Sequence, residues 1–143
     1  MLPTITADPA PVPLCWRRTF PGDAQHVRAV RRFVACLLAG CPYLDDVILT
    51  VDELVVNALR HTKSGQCGGS FTVEVRSARS GVAVSVADQG GPGEPAARDA
   101  AATDESGRGL RTVSVTAAVW GWHGNDQGRT VTAVFPAYPA PIR

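Results

Sequence analysis

From residue 44 to residue 59 the apolar positions fall at Leu44, Val47, Ile48, Val51, Leu54, Val55, Ala58 and Leu59. That is the i, i+3, i+4, i+7 rhythm of a helix with one buried face, and it predicts a helix from about Tyr43 to His61. Glu53 and Asn57 lie on its polar side, four residues apart, so a carboxylate and a carboxamide share one face. A helix that aims those two groups at one point can hold a metal–phosphate group. It can equally be an ordinary helix with a solvated side.

The rest of the chain supplies the layer this helix packs on. A short strand is expected around Leu14–Phe20, ended by Pro21-Gly22. Asp23 is placed to cap a helix running through Ala39, with Val27, Val30, Phe33, Val34, Leu37 and Leu38 inward and Arg28, Arg31 and Arg32 outward. Phe71, Val73 and Val75 alternate with Thr72, Glu74 and Arg76, as a half-buried strand requires. Val82, Val84 and Val86 repeat the pattern, and the short Ala78–Gly81 link makes the two a hairpin. Residues 89–108 are irregular, and Gly109–Val119 reads as a third helix. Two strands near Trp120–His123 and Arg129–Phe135 close the chain around a turn at residues 124–128. This order predicts an α+β two-layer sandwich, a mostly antiparallel sheet covered on one face by three helices. Residues 1–13, with four prolines, read as a disordered tail, 14–136 as the folded domain and 137–143 as a second tail.

Composition narrows the function classes. At 143 residues the chain can bury a real core. A net charge of +1 argues against direct nucleic-acid binding or attraction to an acidic membrane. The four cysteines form no C-x-x-C pair, which argues against zinc. With no secretory signal and no apolar run of bilayer length, a soluble cytoplasmic protein with reduced thiols is expected.

Three glycine-bearing segments carry candidate chemistry. Asp88-Gln89-Gly90-Gly91-Pro92-Gly93 ends a strand, where an aspartate can accept from an exocyclic amine and glycines admit a ligand close to the backbone. Taken alone it reads more readily as a capped strand exit. Gly107-Arg108-Gly109-Leu110 opens the expected third helix, where amide N–H groups favour phosphate; a plain loop-to-helix joint reads as well. Gly128-Arg129-Thr130 enters the last strand, with Thr130 placed to make a polar contact. Other phosphate motifs fail. Lys63 lacks a P-loop's glycines, and Pro92 and Pro95 spoil the dinucleotide fingerprint that Gly91, Gly93 and Ala96 formally match. His26, His61 and His123 sit in unrelated contexts, with no nucleophile elbow.

Together, Asp52-Glu53-Leu54-Val55-Val56-Asn57-Ala58, Asp88-x-Gly90, Gly107-Arg108-Gly109-Leu110 and Gly128-Arg129-Thr130 resemble the N, G1 and G2 boxes and final strand of the GHKL ATPases. That superfamily includes gyrase, the Hsp90 chaperone, histidine kinases and the mismatch-repair ATPase, and has the Bergerat ATP-binding fold. Small size, a short lid and the wording from Glu53 to Thr62 are most similar to the anti-sigma-factor serine/threonine kinases. The resemblance covers about Leu14 to Phe135. It implies ATP and Mg²⁺ as cofactors, with Asn57 as magnesium ligand and Glu53 as general base. Asp88 would accept from the adenine amine, and Gly90 and Gly93 would shape the pocket, with Gly91 the alternative to Gly93. Gly107, Arg108, Gly109 and Leu110 would face the phosphates, and Thr130 would support the adenine contact. The implied partners are a sigma factor and an antagonist protein, in a homodimer that regulates transcription by partner switching. The alternative from another class is a binding module that sequesters a regulator without transferring phosphate. A detached histidine-kinase domain is disfavoured, since no phospho-acceptor hairpin is seen.

Overall fold

A computed structural model describes residues 14–92 and 119–137. Strand β1 spans Leu14–Pro21, followed by a 3₁₀ turn at Ala24–His26 and helix α1 at Val27–Leu37. Helix α2 spans Leu44–His61 and passes through a second 3₁₀ turn, Lys63–Gly65, into β2 at Ser70–Ala78 and β3 at Gly81–Asp88. Strands β4, Val119–Asn125, and β5, Gly128–Pro136, form the last hairpin. The five strands order as β1-β2-β3-β5-β4, every neighbour antiparallel. The α+β sandwich expected from the pattern is therefore present.

Period-2 alternation decides the two faces of the sheet. Phe20, Phe71, Val73, Val75, Val82, Val84, Val86, Val131, Ala133 and Phe135 are buried on the face that packs against the helices. From the helices they meet Val30, Val34, Leu38, Val47, Val51, Leu54, Val55 and Ala58. Phe20 stacks on Phe71 at 5.6 Å between ring centroids and meets Phe33 edge-on at 5.9 Å, which locks β1 and β2 to α1. The other face is polar. Thr19 and Thr72 share a hydrogen bond of 2.8 Å, as do Ser85 and Thr132, and Arg17 meets Glu74 at 2.6 Å.

Two element boundaries differ from the sequence reading. Asp23 caps a 3₁₀ turn instead of the α-helix itself, accepting from the Gln25 amide at 3.0 Å and pairing with His26 Nδ1 at 2.7 Å. Helix α1 stops at Leu37, two residues early, because Gly40 takes a left-handed φ of 86° that reverses the chain. The expected third helix, Gly109–Val119, lies outside the described residues except for Val119, which opens β4 opposite Val134. The expected tails, 1–13 and 137–143, lie outside them too except for Ala137, whose amide donates to Ser80 O at 2.9 Å. No helix among the described residues is long and apolar enough to cross a membrane.

Candidate functional site

The edge of α2 between its buried and solvated sides carries Thr50, Glu53 and Asn57. Thr50 and Asn57 are seven residues apart and both buried, and Asn57 is only 9% exposed. Glu53 sits one turn before Asn57 and is half-buried. Burial raises the Glu53 carboxyl above its ordinary range, the neighbouring Asp52 charge adds to this, and Arg60 opposes it. The consecutive carboxylate, Asp52, points elsewhere. Both its oxygens take Arg31 Nε of α1, at 2.9 and 2.8 Å, so it fastens the two helices together.

The C-terminal end of α2 is strapped to the exit of β3. Thr62 Oγ1 donates back to Ala58 O at 2.7 Å and accepts the Ser64 amide at 3.1 Å, turning the chain sharply out of the helix. The Lys63 amide then donates to Gly90 O at 2.8 Å, and the Gln89 amide donates to the buried Ser64 Oγ at 2.9 Å. These bonds bring the segment after Asp88 against the end of the helix that carries Asn57, which lies about 6 Å along the axis from His61.

Asp88 is in phase with Val82, Val84 and Val86, so it faces the helices at the very end of β3. Its Oδ1 accepts the Gly90 amide at 2.7 Å. Burial raises its carboxyl above the ordinary range, while that amide and the Arg129 charge pull it down. Gly90 has φ 79°, and a Cβ there would stand 2.2 Å from Asp126 O of the β4–β5 turn. A Cβ at Gly91 would stand 2.6 Å from His61 O. Both positions need glycine, for two different walls. Gly90→Ala is expected to lower the melting temperature by several degrees, from about 1–2 kcal/mol of left-handed strain plus displacement of the hairpin turn. Thermal unfolding by circular dichroism checks this, and a melt within about 1 °C of wild type would remove the packing role given to Gly90.

The structure thus sets Asp88 and Gly90 against the C-terminal end of the helix that carries Glu53 and Asn57. It does not bring Thr130 with them. Thr130 alternates out of phase with Val131, Ala133 and Phe135 and lies on the polar face, opposite Ala87 and His123, where it lines a groove of about 460 Å³ with Thr72, Ser85 and Thr132. The residue of β5 that faces the site is Arg129, registered directly against Asp88 and 5% exposed, with its Nε 3.9 Å from Asp88 Oδ1. The signal was in the sequence: counting back in twos from Phe135 lands on Arg129, not Thr130. The Thr62–Ser64 strap had no such local signal. Gly93, Gly107, Arg108, Gly109 and Leu110 lie outside the described residues.

Among the described residues no group of three or more His, Cys, Asp and Glu side chains stands ready to hold a metal. An amide oxygen and a carboxylate are hard oxygen donors that suit Mg²⁺ when phosphate oxygens and water complete its shell. The nearly buried Asn57 carboxamide, 9% exposed, is of the donor type that fits that use.

A solved structure of the RsbU and RsbW domains of Rv1364c from Mycobacterium tuberculosis superimposes with a TM-score of 0.67 at 21% identity, covering 91% of this chain and 34% of that one. This chain therefore spans about a third of that neighbour's length, and the likeness is one of fold. No curated protein sequence matches. Residues 20–135 match the family described as histidine kinase-like ATPase domain. With that span taking in Glu53, Asn57, Asp88 and Gly90, the chain belongs to the histidine kinase-like ATPase domain family.

Proposed function

We propose that this protein is an ATP- and Mg²⁺-dependent serine/threonine kinase of the anti-sigma-factor type. It holds a sigma factor inactive and phosphorylates a serine or threonine of a small antagonist protein, so that the antagonist no longer displaces the sigma factor. The reading carries with it a homodimer and a cytoplasmic place of action. The observation that supports it is the sorting of two adjacent carboxylates on α2. Asp52 is tied to Arg31, whereas Glu53 is left half-buried and raised in pKa on the edge it shares with Asn57.

In this reading Asn57 contributes its amide oxygen to the magnesium ion and Asp88 accepts from the adenine amine. The bound ion would neutralise phosphate charge, which is most of what phosphoryl transfer needs. Glu53 takes the proton of the attacking hydroxyl, a task helped by a pKa nearer to neutrality. The Thr62–Ser64 strap keeps the helix and the Asp88 turn in fixed relation.

Incubation of the full chain with labelled ATP, Mg²⁺ and candidate antagonist proteins tests this. Label on a serine or threonine of one antagonist is expected. Tight ATP binding with no labelled antagonist would favour a regulatory binding module instead. Label on a partner's histidine would point to histidine-kinase chemistry.

A further inference from the structure

Both described helices pack on one face of the sheet, and the opposite face carries a trough. Its floor is low because β3 turns only Ala83, Ser85 and Ala87 to this side. Gly121 of β4 extends the floor, and a Cβ there would meet nothing within 4 Å. The wall on β1 and β2 is cationic. Arg17 gives Nε and Nη2 to Glu74 Oε2, at 3.0 and 2.6 Å, and Arg76 gives Nε to Oε1 at 2.5 Å. Arg76 also meets the Cys15 sulfur across the strand pair. Glu74 is the only carboxylate among the described residues lining the trough, and both its oxygens are taken. Its side chain is 13% exposed, whereas those of Arg17 and Arg76 are 67% and 62% exposed, so the wall shows solvent its positive side.

The floor adds donors and an apolar end. Thr19 with Thr72, and Ser85 with Thr132, each share one O–H, which leaves the second O–H of each pair for another acceptor. Val134 and Val119 are cross-strand partners beside Ala83, and both are exposed. They are two of the four large hydrophobics exposed among the described residues, so this is a patch and not scatter. From β2 across to β4 is three strand spacings, about 14 Å, which admits an α-helix about 10–12 Å across and which an extended strand would not fill. The cross-strand rows of Arg76 and Arg17 lie two residues apart, about 7 Å, close to the rise of about 6 Å between helix positions i and i+4.

We propose that this face is a docking trough for an acidic amphipathic helix of another protein. Carboxylates at i and i+4 on its flank meet Arg76 and Arg17, and its apolar side lies on Ala83, Val134 and Val119. Charge complementarity selects this occupant over a second copy docked face to face, since that copy brings two more arginines and no free carboxylate. Asp88 and Asn57 lie on the helix side of the sheet, so docking here does not depend on nucleotide.

Titration of the full chain with a helical Ala/Leu peptide bearing glutamates at i and i+4 along one flank, read by backbone amide shifts in NMR, tests the proposal. Shifts are expected along β3, β5 and β4. Exchanging the peptide's glutamates for glutamines, or combining Arg17→Gln with Arg76→Gln, is expected to weaken binding about tenfold. Gly121→Phe fills the floor where a Cβ is tolerated, and is expected to abolish binding. Equal affinity for a peptide of the same charge broken by a central proline would overturn the proposal, and that arm needs no variant to fold. No shift on this face, or shifts confined to α1 with its exposed Arg28 and Arg32, would overturn it too. So would a dimer in light scattering that Gly121→Phe splits, because the face would then belong to a second copy.

Discussion

Glu53→Gln is expected to lower phosphate transfer to the antagonist by about 10²–10⁴-fold while leaving ATP affinity within a few-fold of wild type. Glutamine keeps the length and shape of the side chain on the half-buried edge of α2, so the packing around Leu54 and Asn57 is undisturbed. What is lost is a group able to take a proton. The pH dependence gives a second check with a fixed sign. Burial and the Asp52 charge raise the Glu53 carboxyl, and a base works only when ionised. Wild-type transfer should therefore fall on acidification through a pKa above the ordinary glutamate range, with full rate on the alkaline side. The residual rate of Glu53→Gln should lack that acid limb. Asp52→Asn is the internal control. It frees Arg31 and removes the like charge beside Glu53, so transfer should persist with its acid limb moved to lower pH. Steady-state phosphorylation rates across pH read both effects, and a Glu53→Gln enzyme that still labels its antagonist at wild-type rate would end the base assignment.

Much of this site was legible because its parts follow local periodicities. The 3.6-residue rhythm of α2 located its buried face and set Glu53 and Asn57 one turn apart. The alternation in β2, β3 and β5 gave the hairpins and their faces, and placed Asp88 among the buried positions of its strand. The same alternation, applied one residue further, separates Arg129 from Thr130. Thr130, placed near the ligand by motif position, lies on the polar face of the sheet, since a one-residue step in a strand reverses the side chain. Other features depend on what meets across the fold. Which of Asp52 and Glu53 is structural follows only once Arg31 of α1 is seen beside Asp52. Why Gly90 and Gly91 must be glycine follows from Asp126 and His61, distant in sequence. The strap from Thr62 and Lys63 to Gly90 is likewise a pairing of two loops that carry no shared pattern.

Asn57→Ala is expected to separate stability from binding, with opposite consequences for each. At 9% exposure the Asn57 carboxamide gives up part of its hydration, without being fully enclosed and unpartnered. Removing it should leave the melting temperature of the nucleotide-free protein within about 2 °C of wild type, since a lost polar burial offsets a small loss of packing. Mg-ATP affinity should fall by about 10²-fold or more, through loss of a metal ligand. Ligand linkage makes the contrast measurable in one instrument. ATP at about 100 times its dissociation constant stabilises the wild type by about 2.7 kcal/mol, or several degrees of melting temperature. At the same ATP concentration a 10²-fold weaker variant gains only about 0.4 kcal/mol, a shift of about 1 °C. A nucleotide-dependent shift that survives intact in Asn57→Ala would remove the metal-ligand role. A large drop in the nucleotide-free melt would instead make Asn57 a structural amide of α2. A residue that does little for the empty fold and much for the loaded one is the signature expected of a ligand-binding group, because its polar atoms find their partner only when the nucleotide and its ion arrive.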